Sequence, residues 1–119
     1  MLDEHNIMLV EDEALLALDL SLTLEEEGAQ VTGPFATVQT ALEGCGRRLD
    51  AAVLDVDLCG SNVFPVADRL FADGVPFVFH TGRSDLACLT SRYGRDVPIL
   101  VKPARGEEIV KILRSLLPH

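Results

Sequence analysis

The sequence predicts one α/β domain, a five-stranded parallel sheet wound on both faces by helices. The main observation is that five short apolar runs alternate with longer mixed segments along the 119 residues. The runs are IMLV (7–10), AQVTG (29–33), AAVLD (51–55), PFVFH (76–80) and PILV (98–101). Each contains β-branched or aromatic residues and is bounded by Gly, Pro or an acid, which is typical of buried strands. Strands that alternate with helices pair in parallel, because each crossover returns the chain to the same edge.

The composition fits a single soluble globule that covers residues 1–119 without a second, output domain. Hydrophobic residues make up 48% of the chain and charged residues 24%, which excludes a disordered protein. No apolar run approaches the roughly 18 residues of a membrane span, and the N-terminal MLDEHN lacks the basic start of a secretory signal. We therefore expect a cytoplasmic protein without membrane association. The formal net charge of −9 opposes binding to nucleic-acid phosphates.

Three cysteines, Cys45, Cys59 and Cys88, are present in the chain. Their number is odd and no two of them show C-x-x-C spacing, so neither a disulfide framework nor a zinc site is indicated. We expect them to be reduced thiols.

Helical spacing marks two of the segments between the apolar runs. In the C-terminal segment apolar side chains recur at i, i+3, i+4 and i+7, and two acids fall in the first turn. These residues are Ile109, Ile112, Leu113 and Leu116, with Glu107 and Glu108. The same spacing recurs at Val63, Val66, Ala67 and Leu70. Pro65 suits the first helical turn there, and Ser61 or Asn62 is the expected N-cap.

The segment LALDLSLTLE (16–25) alternates leucine with other residues, a pattern that favours a strand. We nevertheless predict a helix from Glu13 to Glu27. Leucine is a good helix former, the stretch is too long for an ordinary strand, and Gly28 supplies a helix stop.

Polar side chains follow four of the five predicted strands. They are Glu11, Asp12 and Glu13 after the first, Asp55 and Asp57 after the third, Thr81 after the fourth, and Lys102 after the fifth. The carboxyl ends of parallel strands share one edge, where ligands bind. Two carboxylates about 4 Å apart repel by on the order of 4 kcal/mol in a partly buried site, so stability alone does not explain such a cluster. Oxygen donors without His or Cys favour a hard cation, by default Mg²⁺.

Each of these residues also has an ordinary interpretation. The acids at 11–13 could be favourable charges at a helix N-terminus. Thr81 could cap the following helix, although Ser84 or Asp85 would cap it equally well. Lys102 could be a solvated surface lysine.

Taken together, the constellation resembles the receiver domain of two-component response regulators, and the resemblance covers the whole chain. The matching stretches are VEDE (10–13), LDVD (54–57), HTG (80–82) and VKP (101–103). Each is short and unspecific alone, but the four occur in the family's order and each ends a predicted strand. The resemblance implies a flavodoxin-like (βα)5 fold with strand order 2-1-3-4-5.

The resemblance also implies a phosphoacceptor function. Asp55 would receive a phosphoryl group from a phosphohistidine on a histidine kinase or phosphotransfer protein. Lys102 would bind one phosphoryl oxygen, and the hydroxyl of Thr81 would bind another and report occupancy to the surface. Without an output domain in this sequence, the response would pass to an unidentified downstream protein or to an output region outside the sequence.

The cofactor implied by the resemblance is Mg²⁺. Asp12 and Asp55 would bind it directly, Glu11 through water, and Asp57 through its backbone carbonyl. The carboxylate of Asp57 would then be available for another task. We hypothesise that Asp57 pairs with Arg83 across the site and tunes the lifetime of the acyl phosphate.

Two positions depart from the family pattern. Receivers usually carry Tyr or Phe three residues before the lysine, where this chain has Ile99, and Phe after the Lys-Pro pair, where it has Ala104. The phosphorylation chemistry is expected to be intact while the output route is unusual. Tyr93, late in the predicted fourth helix, could substitute for the missing aromatic residue.

Two other functions compete with the receiver interpretation. The D-x-D pair at Asp55 and Asp57 also resembles the nucleophile motif of haloacid-dehalogenase-type phosphatases. Cys59 is atypical of that motif, however, and the pair follows the third strand rather than the first. The second alternative is a receiver-like interaction module that is never phosphorylated, although all the chemical residues are present.

Overall fold

The computed structural model describes residues 2–58, 61–82 and 86–117, with the backbone alone at Asp57, Leu58 and Ser61. The strands of its main sheet are β1 (Asn6–Val10), β2 (Gln30–Phe35), β3 (Ala51–Leu54), β6 (Phe77–Thr81) and β7 (Ile99–Val101). They lie in the order β2-β1-β3-β6-β7 and are all parallel. The helices are α1 (Ala14–Glu26), α2 (Val38–Gly44), α3 (Phe64–Ala72), α4 (Ala87–Tyr93) and α5 (Gly106–Leu116). The predicted doubly wound fold with order 2-1-3-4-5 is confirmed.

Each face of the sheet carries one hydrophobic core. Helices α2, α3 and α4 cover one face, where the largest fully buried side chains are Phe79, Met8, Leu54 and Leu70. Helices α1 and α5 cover the other face, with Leu24, Ile7, Leu9, Ile109 and Leu113. In the described part of the chain, no helix is long and apolar enough to cross a membrane. Cys45 is buried and Cys88 exposed, both as free thiols; Cys59 lies outside the described residues.

The predicted strand starts at Pro76 and Pro98 are one residue early. Strands β6 and β7 begin just after these prolines, which cannot donate a ladder hydrogen bond. Their carbonyl groups still join the ladder: that of Pro76 accepts the N–H of Ala52 at 3.1 Å, and that of Pro98 accepts the N–H of Phe79 at 3.0 Å. Each proline therefore lies just outside its strand, yet its carbonyl group still accepts a hydrogen bond from the neighbouring strand.

The leucine-alternating segment forms α1, as predicted. A period of two distributes leucines around a helix instead of along one face. Leu20 and Leu24 are accordingly buried, while Leu15, Leu18 and Leu22 are 80%, 56% and 50% exposed. The helix propensity of leucine and the length of the segment therefore outweighed the alternation, and two of the alternating leucines, Leu18 and Leu22, remain on the surface as a result.

The start of α3 differs from the prediction. Ser61 and Asn62 form β5, which pairs antiparallel with β4 (Asp57–Leu58), and the N-cap position is Val63. Asn62 still accepts the N–H of Phe64 through Oδ1 at 3.1 Å, so it satisfies one of the helix's first donors from one position earlier. The expected place of Pro65 in the first turn is confirmed.

Gly33 allows β2 to reach the carboxyl edge beside β1. The pairing of these strands shifts register between Met8 and Val10, and Gly33 has a φ of +116°. A Cβ at this position would lie 2.7 Å from the carbonyl oxygen of Leu9. Only glycine both adopts this positive φ readily and leaves room for the close approach of the Leu9 backbone.

Substitution of Gly33 by alanine should therefore lower the free energy of unfolding by about 1–3 kcal/mol, since it adds a backbone clash to a strained φ. Gly74→Ala is the matched control, because Gly74 also has a positive φ of +73° but a Cβ there meets nothing within 4 Å. Urea unfolding measures the difference. Equal losses in the two variants would contradict the role given to the contact with Leu9.

Candidate functional site

Backbone hydrogen bonds position the polar residues that follow the strands. Glu11, Asp55 and Lys102 each stand one residue beyond a strand and donate their N–H to the end of a neighbouring strand. The bonds run from Glu11 to Phe35 at 2.9 Å, from Asp55 to Val10 at 2.9 Å and from Lys102 to Thr81 at 2.8 Å. The ladder thus continues one step past the strands, and it brings the predicted residues to one edge.

Lys102 joins two buried carboxylates. Its Nζ lies 2.9 Å from Glu11 Oε1 and 3.3 Å from Asp55 Oδ2. The side chains of Glu11 and Asp55 are 1% and 7% exposed, so this pairing is poorly screened by solvent. The other oxygen of Glu11, Oε2, accepts the N–H of Glu13 at 3.0 Å. Glu11 is therefore fixed from both sides, by the lysine and by the start of α1.

The acid cluster can hold a cation. One carboxylate oxygen from each of Glu11, Asp12 and Asp55 lies within 4.8 Å of the others. Neighbouring ligands of an octahedral Mg²⁺ stand about 3 Å apart and opposite ligands about 4.2 Å apart, so the three oxygens would move closer together around a bound ion. Carboxylate oxygens are the donors that Mg²⁺ prefers in proteins, so the donor set of this cluster fits that cation.

The ionised form of Asp55 is disfavoured in this buried position. Burial raises the pKa of its carboxyl group to about 7, the negative charge of Glu11 adds to the rise, and Lys102 only partly opposes it. Burial alone would lower the pKa of Lys102, but the hydrogen bond to Glu11 and the charge of Asp55 outweigh burial and raise it. The lysine is thus held protonated beside an acid that lacks a full counter-charge.

Thr81 is the last residue of β6 and is 1% exposed. The N-cap position of α4 is Leu86, five residues later, so Thr81 does not serve as the cap of that helix. Its place on the strand beside Lys102 agrees with the predicted position at the site edge.

His80, directly before Thr81, was not singled out by the sequence reasoning. It is 1% exposed, and neither ring nitrogen has a hydrogen-bond partner among the described residues. Burial lowers the pKa of its imidazole, and the positive charge of Lys102 lowers it further. The sequence pattern that could have indicated a buried histidine is the run PFVFH, in which a polar residue completes an otherwise apolar strand.

Two predicted site features cannot be placed. Arg83 and the side chain of Asp57 lie outside the described residues. Their suggested pairing across the site, and the metal contact of the Asp57 carbonyl, therefore stay predictions.

A buried carboxylate at the end of a central strand, two further acids and a strand-end lysine define a signalling domain of the phosphoacceptor class. Comparisons with known proteins agree. The solution structure of SdrG from Sphingomonas melonis Fr1 is 41% identical, with a TM-score of 0.79 over 95% of this chain and 96% of that one. A response regulator receiver protein from Sinorhizobium medicae WSM419 is 28% identical, with a TM-score of 0.83 over 98% and 96% of the two chains.

The response regulator MtrA of Mycobacterium tuberculosis, described as DNA-binding, is 34% identical over 118 residues. The match covers 95% of this chain, which spans about half the length of MtrA. No protein-family model matches the sequence. The chain belongs to the receiver domains of two-component response regulators, as the sequence motifs predicted.

Proposed function

We propose that this receiver domain carries its phosphoryl group on Asp55. The observation that supports this most directly is the environment of that carboxylate. It is buried at the end of β3, lies 3.3 Å from the ammonium group of Lys102, and shares a cluster of metal-binding geometry with Glu11 and Asp12. Such a site attracts both a cation and a transferring phosphoryl group.

In the proposed reaction, a carboxylate oxygen of Asp55 attacks the phosphorus of a phosphohistidine. An O–P bond forms, the N–P bond breaks, and the imidazole of the donor leaves with the electron pair of that bond. The ammonium group of Lys102, held protonated by Glu11 and Asp55, stabilises negative charge on one phosphoryl oxygen. The hydroxyl of Thr81 donates to another oxygen from the neighbouring strand.

We assign a Mg²⁺ site to Glu11, Asp12 and Asp55. The cation, when bound, neutralises charge on the transferring group. The three carboxylate donors described above support this assignment. The Thermotoga maritima regulator TrrA, 22% identical with a TM-score of 0.81, has been solved in complex with Mg(2+)-BeF.

The proposed donor is a histidine kinase or a histidine phosphotransfer protein in the cytoplasm. The domain would catalyse only its own phosphorylation and dephosphorylation, and it would act on a downstream protein. The net charge of −9 supports a protein partner rather than a nucleic acid for this part of the molecule.

Incubation with acetyl phosphate and Mg²⁺, followed by intact-mass measurement, tests the proposal. We expect one phosphoryl group per wild-type chain and none on Asp55→Asn, because the amide is not a nucleophile for this reaction. Absence of labelling in the wild type would favour an interaction module that is never phosphorylated. Release of phosphate over many turnovers would instead favour the phosphatase alternative.

A further inference from the structure

The aromatic residues of α3, β6 and α4 converge on the single tyrosine of the chain. Tyr93, the last residue of α4, is buried, and its ring centroid lies between 5.5 and 6.2 Å from four others. These are the rings of Phe64 and Phe71 on α3 and of Phe77 and Phe79 on β6. Edge and tilted contacts of this kind are favourable and directional. Tyr93 thereby connects three elements of the fold.

The hydroxyl of Tyr93 is fixed by a charged pair between α3 and α4. It donates to Asp68 Oδ1 at 2.8 Å, and Asp68 Oδ2 accepts from Arg92 Nη2, also at 2.8 Å. The Arg92 guanidinium carbon lies 4.5 Å from the ring centroid of Phe64. Burial and the hydrogen bond to Asp68 together raise the pKa of Tyr93 to about 12, so the phenol stays a donor. We call Phe64, Asp68, Arg92 and Tyr93 the α3–α4 clamp.

The α3–α4 clamp contacts β6, the strand that ends at Thr81. Phe79 lies 5.5 Å from Tyr93 and two residues before Thr81, so their side chains point to the same face of β6. On β7 the residue opposite Phe79 is Ile99, an aliphatic side chain without a polar group. Phe79 therefore has an aromatic neighbour on α4 but an aliphatic one on β7.

We propose that the α3–α4 clamp rearranges when Asp55 is phosphorylated, with Tyr93 coupling Thr81 to the exposed surface of α3. This inference rests on the phosphoacceptor function proposed above. Thr81 approaches the phosphoryl group, Phe79 shifts on the same strand, and the tightly packed Tyr93 ring must follow. Asp68 and Arg92 are about half exposed and Phe71 is 57% exposed. When Tyr93 moves, the positions of these exposed charged and aromatic side chains would change on the surface that a partner contacts.

Intrinsic tyrosine fluorescence tests the proposal at one residue, because the chain has one Tyr and no Trp. Beryllofluoride with Mg²⁺ serves as the phosphoryl analogue, and its occupancy is followed separately by fluorine NMR. We expect the emission of Tyr93 to change in proportion to occupancy, and Asp55→Asn to show neither binding nor the change. Binding without a change in emission would overturn the clamp but leave Asp55 as acceptor. Failure to bind, together with failure of acetyl phosphate labelling, would overturn both.

Thermodynamic coupling gives a second test that needs no tyrosine signal. If the clamp belongs to the resting conformation, weakening it should tighten beryllofluoride binding, since coupling is reciprocal. We expect Asp68→Ala and Tyr93→Phe to lower the dissociation constant about threefold or more. Asp73→Ala is the matched control: it breaks a 3.0 Å pair with Arg69 on the same helix, equally exposed and away from Tyr93. A merely structural role for Asp68 would lower thermal stability and leave the dissociation constants of all three variants equal to that of the wild type.

Discussion

Replacement of Lys102 by methionine is expected to slow phosphorylation of Asp55 by about 100- to 1,000-fold, the usual effect of removing one preorganised charge from a transition state. Methionine approximately preserves the length and apolar part of the side chain. It removes the ammonium group that lies 2.9 Å from Glu11 and 3.3 Å from Asp55. In the described part of the chain Lys102 is the cation paired with these carboxylates.

The same substitution should strengthen Mg²⁺ binding. Lys102 and the metal neutralise the same carboxylates, so loss of the lysine leaves three acids for one cation. Labelling rates from acetyl phosphate at saturating Mg²⁺ separate this effect from the slower transfer. Lys111→Met, on the exposed surface of α5, is the control that changes net charge alone. A labelling rate within tenfold of the wild type would exclude the role assigned to Lys102.

Asp55→Asn should stabilise the domain in the absence of Mg²⁺ by about 2–4 kcal/mol at pH 8. The estimate follows from a pKa raised from 3.8 to about 7, since each unit corresponds to about 1.4 kcal/mol. The amide keeps the shape of the side chain and removes the buried charge beside Glu11. Mg²⁺ supplies the missing counter-charge, so at 100 times its dissociation constant it should stabilise the wild type by about 2.7 kcal/mol and the variant much less.

The pH dependence of this stabilisation has a definite sign. Well below pH 3.8 the carboxyl group is protonated in both the folded and unfolded states, and wild type and variant should be equally stable. As pH rises towards 7 the unfolded chain releases its proton more readily than the folded one, so the wild type loses stability relative to the variant. Chemical unfolding in a chelator between pH 4 and pH 8 measures the difference. A difference that stays constant over this range would contradict the raised pKa.

The sequence allowed the strand-end residues to be predicted because backbone topology alone brings them together. Once the five runs are recognised as parallel strands, Glu11, Asp55, Thr81 and Lys102 must share one edge, whatever their side-chain rotamers. The exact ion pairing depends on those rotamers. Lys102 lies closer to Glu11 than to Asp55, a preference that residue types and spacing do not contain.

Contacts between helices could not be predicted from the sequence in the same way. The pairing of Asp68 with Tyr93 depends on how far α3 and α4 rotate about their axes and slide along the sheet, and 25 residues separate the two. Similarly, the leucine alternation of α1 gives no single apolar face from which its rotation could be derived. Short elements formed by turn geometry, such as β4 and β5, leave no periodic signal at all.

The hydrogen bonds that extend the ladder past the strands have a consequence for the motions of the site. The amide protons of Glu11, Asp55 and Lys102 are bonded to the last carbonyl groups of neighbouring strands. They can exchange with solvent only when those strands separate, which is among the rarest openings of a folded domain. The backbone of the reactive edge therefore opens only when neighbouring strands separate. The response must be taken up by side chains and by the helices around them.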